Sequence, residues 1–279
     1  FNWSGNNLDD AQLNRFGATP PALGSGDRAQ NNINWQDAIA FADWAGLRPM
    51  SEFEYEKICR GHDVTYGPIY PIRNEFAWGN TSINNIPANG LVAAADNSIS
   101  EGLTTPATNQ ANCHSSNVNL NSSAVSGNQQ GPVRCGIFAA KNFTTEQRRQ
   151  AGASFYGVME MTGNVREFVI LSGHQRSSCY GNQAYGSRFQ HDIHGDGNIP
   201  NGICDITTWF NNGNPSSSFQ TTVVGHRGGA FSGAWAVSVR NGYLTSNCTS
   251  LPFSEGAVEN VANTRANVNG FRAVRSVFN

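Results

Sequence analysis

The stretch from Ala153 to Phe168, ASFYGVMEMTGNVREF, sets the tightest limits on how this chain folds. Phe155, Tyr156, Val158 and Met161 are core-forming side chains, and Gly157 and Gly163 let the backbone bend where a side chain would collide. Glu160 and Glu167 then need an explanation. They flank the turn Thr162-Gly163-Asn164, and two arrangements fit. Either both carboxylates are solvated beside a turn, or they converge with turn carbonyls on one hard cation, which takes oxygen ligands at about 2.3–2.6 Å.

Upstream, Trp35, Ala38, Ile39, Ala42 and Ala45 recur at helical spacing, which predicts an amphipathic helix from Trp35 to Trp44 closed by Gly46. Ser51 with Glu54 three residues on is a capping box, opening a second helix whose buried stripe is Phe53, Ile58 and Cys59. Arg48, in the connection between them, reads as a structural arginine closing the turn, with a ligand role for an acidic group as the alternative. Residues 1–33 form a polar segment with one short helical possibility from Leu8 to Phe16. From Gly61 to Gly152 the pattern is weak and long ordered loops are expected. They are interrupted by a short strand from Val133 to Ala140 and a short helix from Thr144 to Gln150, capped by Thr144. VVGHRGGAF, AWAVSVRNGYL and GFRAVRSVF alternate apolar and polar residues and read as antiparallel strands.

Only 14% of the chain is charged, against about 25% in ordinary soluble domains, and Gly, Asn and Ser carry the polarity instead. With 38% hydrophobic residues the chain is not disordered by composition, so a loop-rich fold is expected. The formal charge of −2 excludes bulk electrostatic binding of nucleic acid. No apolar run reaches the ~18 residues of a membrane span, and no signal peptide stands at the start.

Six cysteines in a Lys-poor chain rich in Asn, Ser and Gly fit an oxidising compartment, hence an extracellular or cell-surface location. Cys113 with Cys135 and Cys179 with Cys204 are the expected disulfides, each closing a loop of about two dozen residues and contributing up to ~3 kcal/mol. Cys59 is explained as a small buried residue, and Cys248 is left unassigned. No CxxC spacing points to zinc. His191, Asp192, His194 and Asp196 form a metal-like cluster, although a polar Gly-rich loop gives the same letters.

Five segments in order resemble one family. The opening run is similar to the "YGLYDMAGNVWEW" signature of the formylglycine-generating-enzyme-like, or sulfatase-modifying-factor, domains, a branch of the C-type-lectin-like fold. Asn34 to Gly61, Phe76 to Asn80, His226 to Gly233 and Asn269 to Ser276 agree with its other motifs, so the resemblance covers roughly residues 30–276. It implies an α+β fold, loop-rich, with two helices packed on small antiparallel sheets, forming a single domain over 34–279 with a long insertion at about 172–223. The family's first strand and helix are not found upstream; either they have been removed or another domain or chain supplies them.

The matching family motif also implies Ca²⁺, held through the carboxylates of Glu160 and Glu167 and the carbonyls of Gly163 and Val165. This chain departs from the commoner Asn or Asp where Glu160 stands, and from the usual Trp where Arg166 stands. Alternation along a strand points Arg166 away from Glu167, which leaves room for the ion.

Catalytic members use two cysteines just after the RGG strand, where they bind copper(I), a metal that requires soft thiolates. The corresponding run, Gly228 to Ser238, contains no cysteine, and Cys248 lies too far along to replace either. The chain is therefore expected not to be an enzyme. The resemblance leaves a structural or assembly module, or a ligand-binding module of the kind diversified by retroelements, with Phe231, Ser232, Trp235 and Tyr243 as candidate contacts. The partner expected is a protein, a further copy of the chain, or a glycan.

Overall fold

The computed structural model of this chain describes residues 29–61, 76–79, 84–85, 111–114, 132, 135–140, 147–170, 192–209, 224–230, 265–266 and 268–276. Its architecture is mixed α+β, organised about strand β4, Arg166–Ile170, which directly follows the acidic turn. Strand β5, Val224–Arg227, runs antiparallel to β4 on one side, and β6, Asn269–Gly270, runs parallel to it on the other. That parallel pairing departs from the all-antiparallel expectation. Its cause is a long connection that returns the chain to the opposite edge of β4.

Helix α1, Trp35–Trp44, forms as its periodicity predicts, with Trp35, Ala38, Ile39 and Ala42 buried. It also carries a capping box that the sequence reading missed: the Asn34 side chain accepts from Asp37 N and the Asp37 carboxylate accepts from Asn34 N. Strand β1, Arg48–Pro49, then pairs antiparallel with β7, Ala273–Val274. Helix α2, Glu52–Arg60, follows with the expected Ser51–Glu54 box. Its buried face, however, is Glu52, Tyr55 and Cys59, while Phe53 is 71% exposed. A carboxylate displaces a phenyl ring from that face because buried Arg227 stands opposite it and pairs with Glu52.

Arg48 proves structural. Its guanidinium donates to both carboxylate oxygens of Glu54 at 2.9 and 2.5 Å, and its Nε donates to Ser276 Oγ at 2.8 Å. Glu54 thus caps α2 and neutralises Arg48 together. Burial pushes the Glu54 carboxyl up, but the bonds from Arg48 and Ser51 outweigh it and hold it below the usual range. Glu54→Ala is expected to cost about 2–3 kcal/mol, from the lost cap and a buried guanidinium left without its carboxylate. Urea unfolding measures this, and Ser51→Ala, which removes the cap alone, should cost roughly 1 kcal/mol.

The alternation of β4 divides the interior. Phe168 and Ile170 join Trp35, Ile39, Trp209 and Val224 in one apolar cluster, whereas Val169 joins Met50, Tyr55, Cys59, Ala77 and Met161 in another. Burial on both faces explains the unbroken apolar run that ends β4.

Elsewhere the loops are less regular than the letters suggested. Ile137–Ala140 is a short 3-10 helix rather than the end of a strand, entered through Gly136 at φ +74, a left-handed value no strand accommodates. Strands β2, Asn84–Asn85, and β3, Asn112–Cys113, pair in parallel, and a short helix α3 covers Gln147–Gln150. Tyr156 is 49% exposed, so Met161 and not Tyr156 anchors its segment in the core. The possible helix from Leu8 to Phe16 and the strand AWAVSVRNGYL lie outside the described residues. Among the described residues no helix is long and apolar enough to cross a membrane.

Candidate functional site

The turn from Glu160 to Asn164 is held from four sides. Gly163 N donates to Gly228 O, Asn164 N to His114 O, Ala77 N to Thr162 Oγ1, and the Cys113 thiol to Thr162 O at 3.3 Å. Glu160 and Asn164 both adopt left-handed backbone angles, φ +54 and +64, which side chains other than glycine rarely take. The surrounding bonds keep that strained loop in place, and such strain concentrates at functional turns.

Glu160 and Glu167 are both buried, so the solvated arrangement does not hold. Glu160 Oε1 accepts from Gly136 N at 2.8 Å. Glu167 Oε1 accepts from Arg272 at 3.2 Å, and the same guanidinium nitrogen donates to Met159 O at 3.1 Å, bracing the two ends of the turn. Glu167 Oε2 has no hydrogen-bond partner among the described residues. It lies close against Gly228, where a Cβ would stand 2.7 Å from Glu167 Oε2, 2.8 Å from the Tyr55 hydroxyl and 2.9 Å from Met161 O. Gly228, at φ +88, is required there on both counts. The Tyr55 hydroxyl donates to Met161 O.

Arg166 points away from Glu167, as alternation requires, and donates to Asn269 Oδ1 at 2.9 Å. The cation that reaches Glu167 is Arg272, a residue the sequence reading used only as part of a fold signature. Nothing in its spacing, more than a hundred residues downstream, links it to the turn. On this side of β4 two guanidiniums, Arg227 and Arg272, attend four carboxylates: Glu52, Glu56, Glu160 and Glu167. Among the described residues the negative charge there is in excess. Burial accordingly pushes both Glu160 and Glu167 up to about 7, with Arg272 opposing the rise in each case.

Two buried carboxylates, one orphaned oxygen and a single shared guanidinium suit either bound protons or a hard cation with oxygen ligands. Of the four positions expected to supply such ligands, Glu160 and Glu167 flank the turn. Gly163 lies in it at φ +82, where a Cβ would stand 2.5 Å from Cys113 Sγ and 2.6 Å from His114 O, and Val165 packs on Gly270.

Other expected sites fare differently. Cys113 and Cys135 are not bridged to one another: Cys113 is buried against the turn and Cys135 is exposed. Cys204 is buried, and its expected partner Cys179 lies outside the described residues, as do Phe231, Ser232, Trp235 and Tyr243. Of the cluster read from HDIHGDG, His191 lies outside the described residues, and His194 and Asp196 take separate partners. His194 Nε2 accepts from Ser276 N at 2.8 Å, while Asp196 turns to Asp43 and Asp205, with ligand atoms of all three within 4.8 Å. Asp43 organises that group: its carboxylate accepts from Asp196 N and Asp205 N and is raised by burial.

Comparison with curated proteins and with solved structures gives no match. A family model does match, and it extends over residues 6–277, taking in the acidic turn and every helix and strand described above. The chain belongs to the family of the sulfatase-modifying factor enzyme 1-like (FGE-sulfatase) domain.

Proposed function

We propose that this chain is a non-catalytic member of its family, an extracellular or cell-surface module for binding or assembly in which Ca²⁺ braces the acidic turn. The observation that carries the proposal is the absence of cysteine from Gly228 to Ser238, directly after β5. Thiol chemistry on a substrate cysteine needs accessible thiolates there, and none of these eleven positions supplies one. Exposed aromatic side chains support a contact role: Trp44 is 51% and Phe53 71% exposed, and Phe41 packs on Trp44 at 6.0 Å on the outer face of α1. Incubation with copper and a cysteine-containing sulfatase peptide is expected to yield no aldehyde. Copper-dependent turnover would overturn the proposal.

The calcium part has its own test. The Glu160–Glu167 pair must ionise to ligate Ca²⁺, so binding competes with protons and tightens as pH rises through about 7. At a hundred times its Kd the ion adds about 2.7 kcal/mol, and each kcal/mol raises the melting midpoint of a domain this size by about 2–4 °C. Melting with Ca²⁺ and with EDTA should therefore differ by several degrees at pH 8, much less at pH 5.5, and not at all in Glu167→Gln. Equal midpoints with no calcium by elemental analysis would refute it.

A further inference from the structure

We infer that β5 is an acid-labile strand: His226, walled into the apolar side of the sheet, must stay neutral for β5 to remain paired with β4. The imidazole is 2% exposed, and neither ring nitrogen has a hydrogen-bond partner among the described residues. Its ring lies over Phe168 at 4.5 Å between centroids, and Phe168 in turn meets Trp35 edge-on at 5.9 Å. A buried polar group without partners already weakens this point of the core, and an imidazolium there would be far costlier.

The charged groups on the surrounding elements give it no help. From β4, Arg166 lies on the same face and repels a second cation, while Glu167 points to the other face and is bound by Arg272. On β5 itself Arg227 pairs with Glu52 on that other face. From α1, Asp37 is held by Arg265 through two bonds of 2.7 Å, and Asp43 sits roughly 12 Å further along the helix than Trp35. From β6, Asn269 is neutral and engaged with Arg166. Burial, with Arg166 adding to it, therefore depresses the histidine well below its ordinary 6.5. The unfolded chain takes up this proton first, so the stability that depends on neutral His226 is whole above pH 6.5. Below it the folded-to-unfolded ratio falls about tenfold per pH unit, until the folded form also protonates.

The test compares wild type with His226→Leu and His226→Gln by urea unfolding in EDTA at pH 7.5, 6.0 and 5.0. Protonation of Glu160 and Glu167 favours the fold over the same range, but it is common to all three proteins and cancels in the comparison. Wild type is expected to lose about 30-fold more of its folding equilibrium constant than His226→Leu between pH 7.5 and 5.0. An equal loss overturns the inference. Histidine ¹⁵N spectra of the wild type decide the matter even if the variants do not fold: His226 should stay neutral at pH 5.5, and titration near 6.5 in the folded protein is fatal. Hydrogen exchange locates the opening. Amides of Val224–Arg227 should accelerate before those of α1, and uniform acceleration would overturn the assignment to β5.

Discussion

Arg227→Leu should destabilise the domain by about 3–5 kcal/mol, a loss comparable to much of the stability of an ordinary domain. Arg227 is 2% exposed and pairs with Glu52, itself buried, while reaching to 4.0 Å from Glu56. Removing the guanidinium strands the Glu52 carboxylate inside, and that uncompensated charge is the cost. The double variant Glu52→Leu/Arg227→Leu should regain most of the loss, since an apolar pair of similar volume replaces a buried ion pair at little penalty. Urea unfolding of the four proteins gives the coupling directly. A single-variant cost below about 1 kcal/mol would show that water reaches the pair.

Arg272→Leu is expected to act through the acidic turn and to show a strong pH dependence. Burial works against the Arg272 charge, yet Glu167 and Glu160 hold its guanidinium firmly protonated. Without it both carboxylates lose their counter-charge, and the Met159 carbonyl loses its donor. The loss at pH 8 without metal should reach about 3–5 kcal/mol. Both glutamates have folded values raised above the unfolded 4.5, to about 7, so the metal-free fold is penalised increasingly as pH rises from 4.5 through 7. Removing Arg272 raises them further. The variant should therefore be least impaired near pH 5, where both carboxyls are protonated, and should depend more on added Ca²⁺ at pH 8 than wild type does. Denaturant midpoints at the two pH values, with and without Ca²⁺, test this, and a pH-independent loss would assign Arg272 to packing alone.

Local chemistry was legible wherever the deciding groups are neighbours in the chain. Helix α1 follows from its apolar period, the start of α2 from Ser51 and Glu54, and the opposite directions of Arg166 and Glu167 from strand alternation. The same reading failed where the deciding partner is distant. Phe53 has the hydrophobicity for a buried stripe, but Glu52 occupies that face because Arg227, far along the chain, is already inside. Val133 to Ala140 looked extended by composition, and Gly136 at φ +74 makes it a turn into a 3-10 helix.

The sequence by itself determined the family, through motifs kept in order, and it places no cysteine from Gly228 to Ser238. It also singled out Glu160 and Glu167, because two carboxylates about one glycine turn are unusual in an otherwise apolar segment. Only the tertiary structure decided that both are buried, that Arg272 and not Arg166 answers them, and that His226 sits without a hydrogen-bond partner among the described residues, between β4 and the Trp35 cluster. Burial and charge compensation depend on which distant segments fold against a residue. Spacing along the chain carries no record of that, whereas caps, turns and periodicity are fixed by groups within a few residues of one another.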